Sequence, residues 1–348
     1  MLPFDARRFG AASSGQPTAA LVAADPDFDL SVGQAHAQAT SETAGVAHNA
    51  HRVSRETQTA DLDKLGPLPG TRVEGERIAS MLGVKPLLGE EALEVRIKAC
   101  RSPRILHLAT HGFFLADQRR DSNQELRGLG LLGGQAGDGF GQMSEMPSGR
   151  MSGPGMENPL LRSGVLLAGF KTWLKGGSLP AEAEDGLLTA EDVSGLDLLA
   201  TELVVLSACE TGLGEVRTGE GVFGLRRAFV LAGAKTLVMS LWKAPDLATA
   251  ILMERFYDNL LNRRDSSDRP FPRSESLREA QFHTRDVTVG QIRDGWLNAE
   301  MIERLSAGDE ETREYLERLA RRPDNYCPFT HPKFWGAFIC QGDPGPLR

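Results

Sequence analysis

The sequence predicts an α/β fold, a mostly parallel sheet with helices on both of its faces. Two observations carry that expectation. Short, continuous apolar runs such as Ile105-Leu106-His107-Leu108-Ala109 and Leu203-Val204-Val205-Leu206-Ser207 read as strands covered on both sides. Between such runs stand spans of helical period, Asp246 to Asn262 being a long amphipathic example.

The elements follow in order. Ala19 to Ala23, before Asp25-Pro26, reads as a first strand ending in a turn. Residues 31–62 are polar with weak periodicity and read as a loop or an irregular helix. Thr71 to Leu82 predicts a helix, with Thr71 as N-cap, Glu74 completing a capping box and Gly83 as the stop. Ala92 to Cys100 predicts a second helix. The strand at 105–109 runs directly into Thr110-His111-Gly112. Residues 119–158, rich in Gly and Met with several Ser and Pro, read as a flexible insertion that buries little apolar surface.

Gly164 to Phe170 returns to strand character, and Gly176 to Asp185 reads as a loop. Thr189 opens a short helix with a second capping-box pattern. The strand at 203–207 leads into Ala208-Cys209-Glu210-Thr211-Gly212. Gly221 to Ala232 reads as helix, Thr236 to Leu241 as strand, and 263–274 as a charged loop broken by Pro. Residues 275–321 are mostly helical in pattern, Trp335 to Cys340 is the last strand, and Asp343-Pro344 ends the fold. With no internal repeat, one domain with a long insertion is the simplest organisation.

Composition narrows the function. The 348 residues are 41% apolar and 25% charged, enough for a sizeable core. The net charge of −8, from 39 basic and 47 acidic residues, argues against a general nucleic-acid binder. Cys100, Cys209, Cys327 and Cys340 form no C-x-x-C pair, which argues against a zinc site. No metal or cofactor is expected. The N-terminus has no apolar h-region, and no run approaches ~18 apolar residues. The expectation is a cytoplasmic chain in a reducing compartment, without a membrane segment.

In an open α/β sheet, chemistry gathers at the carboxyl ends of the strands. Here two such ends carry reactive side chains, His111 after one strand and Cys209 after another. If those strands are parallel neighbours, both residues rise from the same edge. An imidazole beside a thiol can take its proton and leave the thiolate, the true nucleophile. Backbone N–H groups of Gly112 and Cys209 are the expected oxyanion donors, each worth about 3–4 kcal/mol of transition-state stabilisation. Glycine at 112 lets the backbone come close to a substrate.

On these residues the sequence resembles the CHAT domain family of caspase-like and separase-like cysteine peptidases. Ala109-Thr110-His111-Gly112-Phe113-Phe114 matches its His block and Leu206-Ser207-Ala208-Cys209-Glu210-Thr211-Gly212 its Cys block. Leu68-Pro69-Gly70-Thr71, Leu187-Leu188-Thr189-Ala190, Gly219-Glu220-Gly221, Ser240-Leu241-Trp242, and His331-Pro332 with Trp335 follow in family order. The resemblance implies a caspase–hemoglobinase-like three-layer sandwich over residues 18–345, preceded by an extension at 1–17. It implies a cysteine endopeptidase with a His111–Cys209 dyad acting on a protein substrate, with no obligatory third member.

By analogy with separases, the segment reaching Ser240 and Trp242 borders the pocket for the residue before the cut. Asp246 would there receive a basic side chain. Lys243 departs from the separase pattern, where an acid is usual, and would oppose such a side chain. Since CHAT domains often follow tetratricopeptide repeats, and none stand in this sequence, a tetratricopeptide-repeat protein is an expected partner. A bacterial setting is also implied. The alternatives are a catalytically latent CHAT scaffold that binds partners, and a small-molecule thiol hydrolase with a closed pocket.

Plainer readings stand beside these. Alone, Cys209 would read as a core cysteine and His111 as structural; strand-end position and resemblance reverse both. Asp246 reads equally as the N-cap of the helix it precedes. Glu210 reads as bracing its loop, and Cys100, Cys327 and Cys340 as packed thiols. His107 reads as a satisfied core residue, and His331 as ordering the entry to the last strand. Trp242 and Trp335 read as packing residues. The glycines at 212, 214, 219, 221 and 224 lack the lysine of a phosphate loop and read as a flexible turn.

Overall fold

The computed structural model describes residues 16–32, 66, 68–115, 159–207, 209–213 and 220–348. Of the span 31–62, read as a loop or an irregular helix, residues 33–62 lie outside the described residues, as does the insertion at 119–158.

Along the chain, β1 (Leu21–Pro26) leads to α1 (Pro69–Leu82), β2 (Leu87–Gly89), α2 (Glu94–Lys98), β3 (Ile105–Ala109) and β4 (His111–Leu115). After the insertion come β5 (Ser163–Leu166), α3 (Phe170–Leu174), β6 (Leu187–Thr189), α4 (Ala190–Ser194), β7 (Leu203–Leu206) and β8 (Cys209–Leu213). Next are α5 (Glu220–Leu231), β9 (Thr236–Ser240), α6 (Asp246–Asn262) and α7 (Arg273–Asp286). The chain ends with α8 (Val289–Trp296), α9 (Ala299–Ser306), α10 (Glu310–Ala320) and β10 (Phe338–Gly342).

The main sheet has six strands in the order β10-β9-β7-β3-β1-β2. All its pairings are parallel except β10 with β9. Successive residues of a strand point to opposite faces, and the apolar runs of β3, β7 and β9 use both. Leu106, Leu108, Val204, Leu206, Leu237 and Met239 pack on one face with Phe229 of α5. Ile105, Val205 and Val238 pack on the other with Ile78 of α1, Phe256 of α6 and Leu277 of α7. Each fully buried aliphatic of this kind contributes about 1.5–3 kcal/mol. The result is the expected α/β three-layer sandwich. Outside it, α8, α9 and α10 share a further cluster with Leu247 and Ile251 of α6.

A second sheet, not anticipated from the sequence, has four strands in the order β6-β5-β4-β8. In it β4 and β8 are parallel, and β5 is antiparallel to both β4 and β6.

Several boundaries correct the sequence reading. The α1 helix begins at Pro69, with Leu68 at the N-cap and no side-chain cap. Proline is favoured at the first helical position, so the start moves ahead of Thr71, whose N–H bonds Leu68 O at 2.9 Å. The expected capping box is absent, and Glu74 turns into the interior at 2% exposure. Asp246 is not the N-cap of α6 either: it is the first helical residue, and Pro245 stands at the N-cap with no side-chain cap bond. The second helix shrinks to Glu94–Lys98, and the strand expected at 164–170 ends at Leu166. The last strand begins at Phe338, because Trp335 ends a short 3-10 turn over Pro332–Phe334. Gly83 does end α1, in the left-handed conformation at φ 67°. Thr189 and Asp192 form the predicted capping box.

Candidate active site

The β3 and β7 strands are parallel neighbours, with Leu108 beside Leu206. Each runs on, through a short link, into a strand of the second sheet. Thr110 makes the first link, and its hydroxyl donates to Leu166 O at 2.6 Å. Ser207 begins the second, and its N–H donates to Leu108 O at 2.9 Å. The continuing strands β4 and β8 are again parallel neighbours, and their first pair is His111 with Cys209. Paired strands lie about 4.8 Å apart, so residues distant in the chain become adjacent on one ladder.

His111 is buried, at 5% exposure. Its Nε2 lies 3.2 Å from Gly66 O. A carbonyl only accepts, so Nε2 carries the hydrogen and Nδ1 is left as the ring's acceptor. Phe28 packs against the ring at 5.4 Å between centroids. Burial pushes the imidazole down to about 4; the Gly66 carbonyl opposes this, while Lys243 and Lys171 add to it. The ring is neutral at neutral pH.

Gly112 is paired with Val165 on one side and Glu210 on the other, inside the small sheet. An oxyanion role for its N–H therefore has to fit within that ladder.

A cleft opens beside His111. Its walls include Leu68, Gly70 and Thr71 at the start of α1, with Lys243 and Asp246 at the start of α6. Glu74, Ser207 and Thr249 line it more deeply. Asp246 thus faces the same cleft as His111. Burial raises its carboxyl above the usual range and Glu74 adds to this, while Lys243 and the Gly70 N–H act against it. A Cβ at Gly70 would stand 2.3 Å from Asp246 Cβ, so only glycine lets the two helix starts meet here. Ser240 is buried in β9 beside Phe338 of β10. Trp242 is 39% exposed, and its indole N–H donates to Lys333 O at 3.3 Å. It is a surface side chain at the strand end rather than the packed residue expected.

His107 is a core residue as read, but its Nε2 has no hydrogen-bond partner among the described residues, and of the three other thiols only Cys100 is buried. His107 is fully buried between Glu74 and Tyr257. His331 accepts from the Lys333 N–H at 3.1 Å, at the turn before β10. Burial pushes the Cys100 thiol up to about 11, and raises that of Cys340. Among the described residues no cluster of metal ligands occurs, and no helix is long and apolar enough to cross a membrane. Sequence reasoning missed Glu74 as a cleft residue, while Lys243, read as a charge that would oppose a basic side chain, does line the cleft. The signal for Glu74 was its place on the Gly70–Ile78 face of α1, which is otherwise buried.

A parallel α/β sandwich with a histidine and a cysteine on adjoining strand continuations defines a caspase-like class of protein. The profile of the CHAT domain family matches residues 4–343, and the chain belongs to that family, which is related to the caspase-like peptidases. The chain is also similar to tetratricopeptide repeat protein 28. It is 30% identical to the Mus musculus protein over 199 residues and 29% identical to the Homo sapiens protein over 198. Each alignment covers 57% of this chain but 7% of the relative.

Proposed function

We propose that the chain is a cysteine endopeptidase in which Cys209 is the nucleophile and His111 its general base. The observation that supports this is the register of β4 with β8, which sets Cys209 beside His111. The neutral imidazole, its Nδ1 free of the Gly66 bond, takes the thiol proton as sulfur attacks a peptide carbonyl. The tetrahedral intermediate collapses to a thioester as the C–N bond breaks, and the imidazolium protonates the departing amine. Water, activated by the same ring, then hydrolyses the thioester and restores the thiol. Backbone N–H groups of Gly112 and Cys209 are the proposed oxyanion donors. The cleft holding Asp246 takes the side chain before the cut, a lysine or arginine, with Ser240 and Trp242 at its border.

A thiol-directed activity probe and a panel of peptide substrates test the reading. Cys209→Ala should abolish labelling and turnover, and His111→Ala should lower turnover by about 10²–10⁴-fold. Labelling that persists in Cys209→Ala, or maps to Cys327, refutes it.

A latent scaffold is the second reading, and the occlusion of His111 favours it. Its ring is bonded to Gly66 and nearly sealed from solvent. In this reading the domain serves a tetratricopeptide-repeat partner, and Cys209→Ala would bind that partner and signal as the wild type does.

A further inference from the structure

A buried carboxylate on α1 touches both of the segments that lead to His111 and Cys209. Glu74 is 2% exposed. Its Oε2 accepts the Ser207 hydroxyl at 3.0 Å. Ser207 is the residue at which β7 gives way to the link that enters Cys209. Glu74 Oε1 lies 3.3 Å from His107 Nε2, in the strand that runs on to His111, without forming a hydrogen bond to it. The other nitrogen of His107 is 3.1 Å from the Tyr257 hydroxyl of α6. Tyr257 and His107 are both fully buried.

The cost of this arrangement is plain. A carboxylate removed from water loses several kcal/mol unless partnered, and the same face of α1 seats an isoleucine at Ile78. The Glu74 contacts, moreover, fall on the two approaches to the reactive pair. Ser207 is held from both sides, by its N–H to Leu108 of β3 and by its hydroxyl to Glu74. Ser207, at the exit of β7, is thereby held against β3 and α1 together.

We propose that Glu74 is a positioning residue for the Cys209–His111 pair, acting through the Ser207 hydroxyl at the exit of β7. This deepens the peptidase reading and rests on it. Glu74 acts through Ser207 and needs no proton transfer of its own.

The test follows alkylation of Cys209 by iodoacetamide as a function of pH, with thermal unfolding as a check of folding. Glu74→Ala should slow Cys209 labelling at neutral pH by about tenfold or more and displace its pH profile. Glu74→Gln keeps an oxygen acceptor for Ser207 and should recover most of that loss. Ser207→Ala should reproduce the displacement, and the double variant should be no slower than Glu74→Ala alone. Identical profiles for wild type, Glu74→Ala and Ser207→Ala overturn the proposal, as does strict additivity of the two losses. Should Glu74→Ala fail to fold, Ser207→Ala decides the matter, and an unshifted profile in it is the refuting result. A Cys209 that is inert in the wild type at every pH removes the peptidase reading as well. A reactive Cys209 indifferent to Glu74 and Ser207 removes this inference alone.

Discussion

At the scale of the residue, the environment of His111 makes two pH predictions. Its ordinary value of 6.5 is pushed down to about 4, first by burial. Between those values the unfolded chain binds a proton that the folded ring refuses, so acid favours unfolding across this window and stability rises with pH through it. Urea unfolding of wild type should lose stability from pH 7 to pH 4.5, and His111→Asn should lose less. In turnover, the acid limb of kcat/KM should fall below the ordinary histidine value, because the base is already neutral there. A limb at 6.5 or above would show that the ring is solvated in the working enzyme. His111 and Cys209 were legible as strand-end residues. Glu74 was not, because Thr71 and Glu74 stand at capping-box spacing and a purely local reading is satisfied by that. Pro69, by starting the helix earlier, freed Glu74 for the interior.

At the scale of the element, the starts of α1 and α6 meet at Gly70 and Asp246. Gly70→Ala should drive these helices apart and cost about 1–3 kcal/mol, read from urea unfolding. Asp246→Gly in the same chain should return much of it. The central strands were readable because each is a continuous apolar run buried on both faces. The second sheet was not. His111-Gly112-Phe113-Phe114-Leu115 and Cys209-Glu210-Thr211-Gly212-Leu213 show neither strict alternation nor β-branched enrichment. Their strand character comes from being carried side by side out of β3 and β7, a tertiary cause with no local signature.

At the scale of the whole molecule, the fold is closed by a buried cation. Arg273 of α7 is 0% exposed and lies 3.3 Å from carboxylate oxygens of both Glu202 and Asp343. Glu202 also accepts the Arg348 N–H at 2.7 Å, so the chain's end is tied to the start of β7. Arg273→Met should cost about 3–5 kcal/mol, because Glu202 is left buried and uncompensated. Arg273→Met with Glu202→Gln should recover most of it in the same thermal assay. The layers were predictable from the sequence because alternate residues of each strand are apolar on both sides. The lateral order of the strands was not, since nothing in a linear apolar run says which run lies beside it. The ladder that aligns position 111 with position 209 has a further consequence. The spacing of the reactive pair is set first as a count of peptide units, much as a vernier keeps a setting, and side chains such as Glu74 can only hold what that count has set. One extra residue placed after Thr110 would advance that count and turn the imidazole to the opposite side of the pleat. Such an insertion should silence Cys209 labelling while the circular dichroism of the sandwich is unchanged.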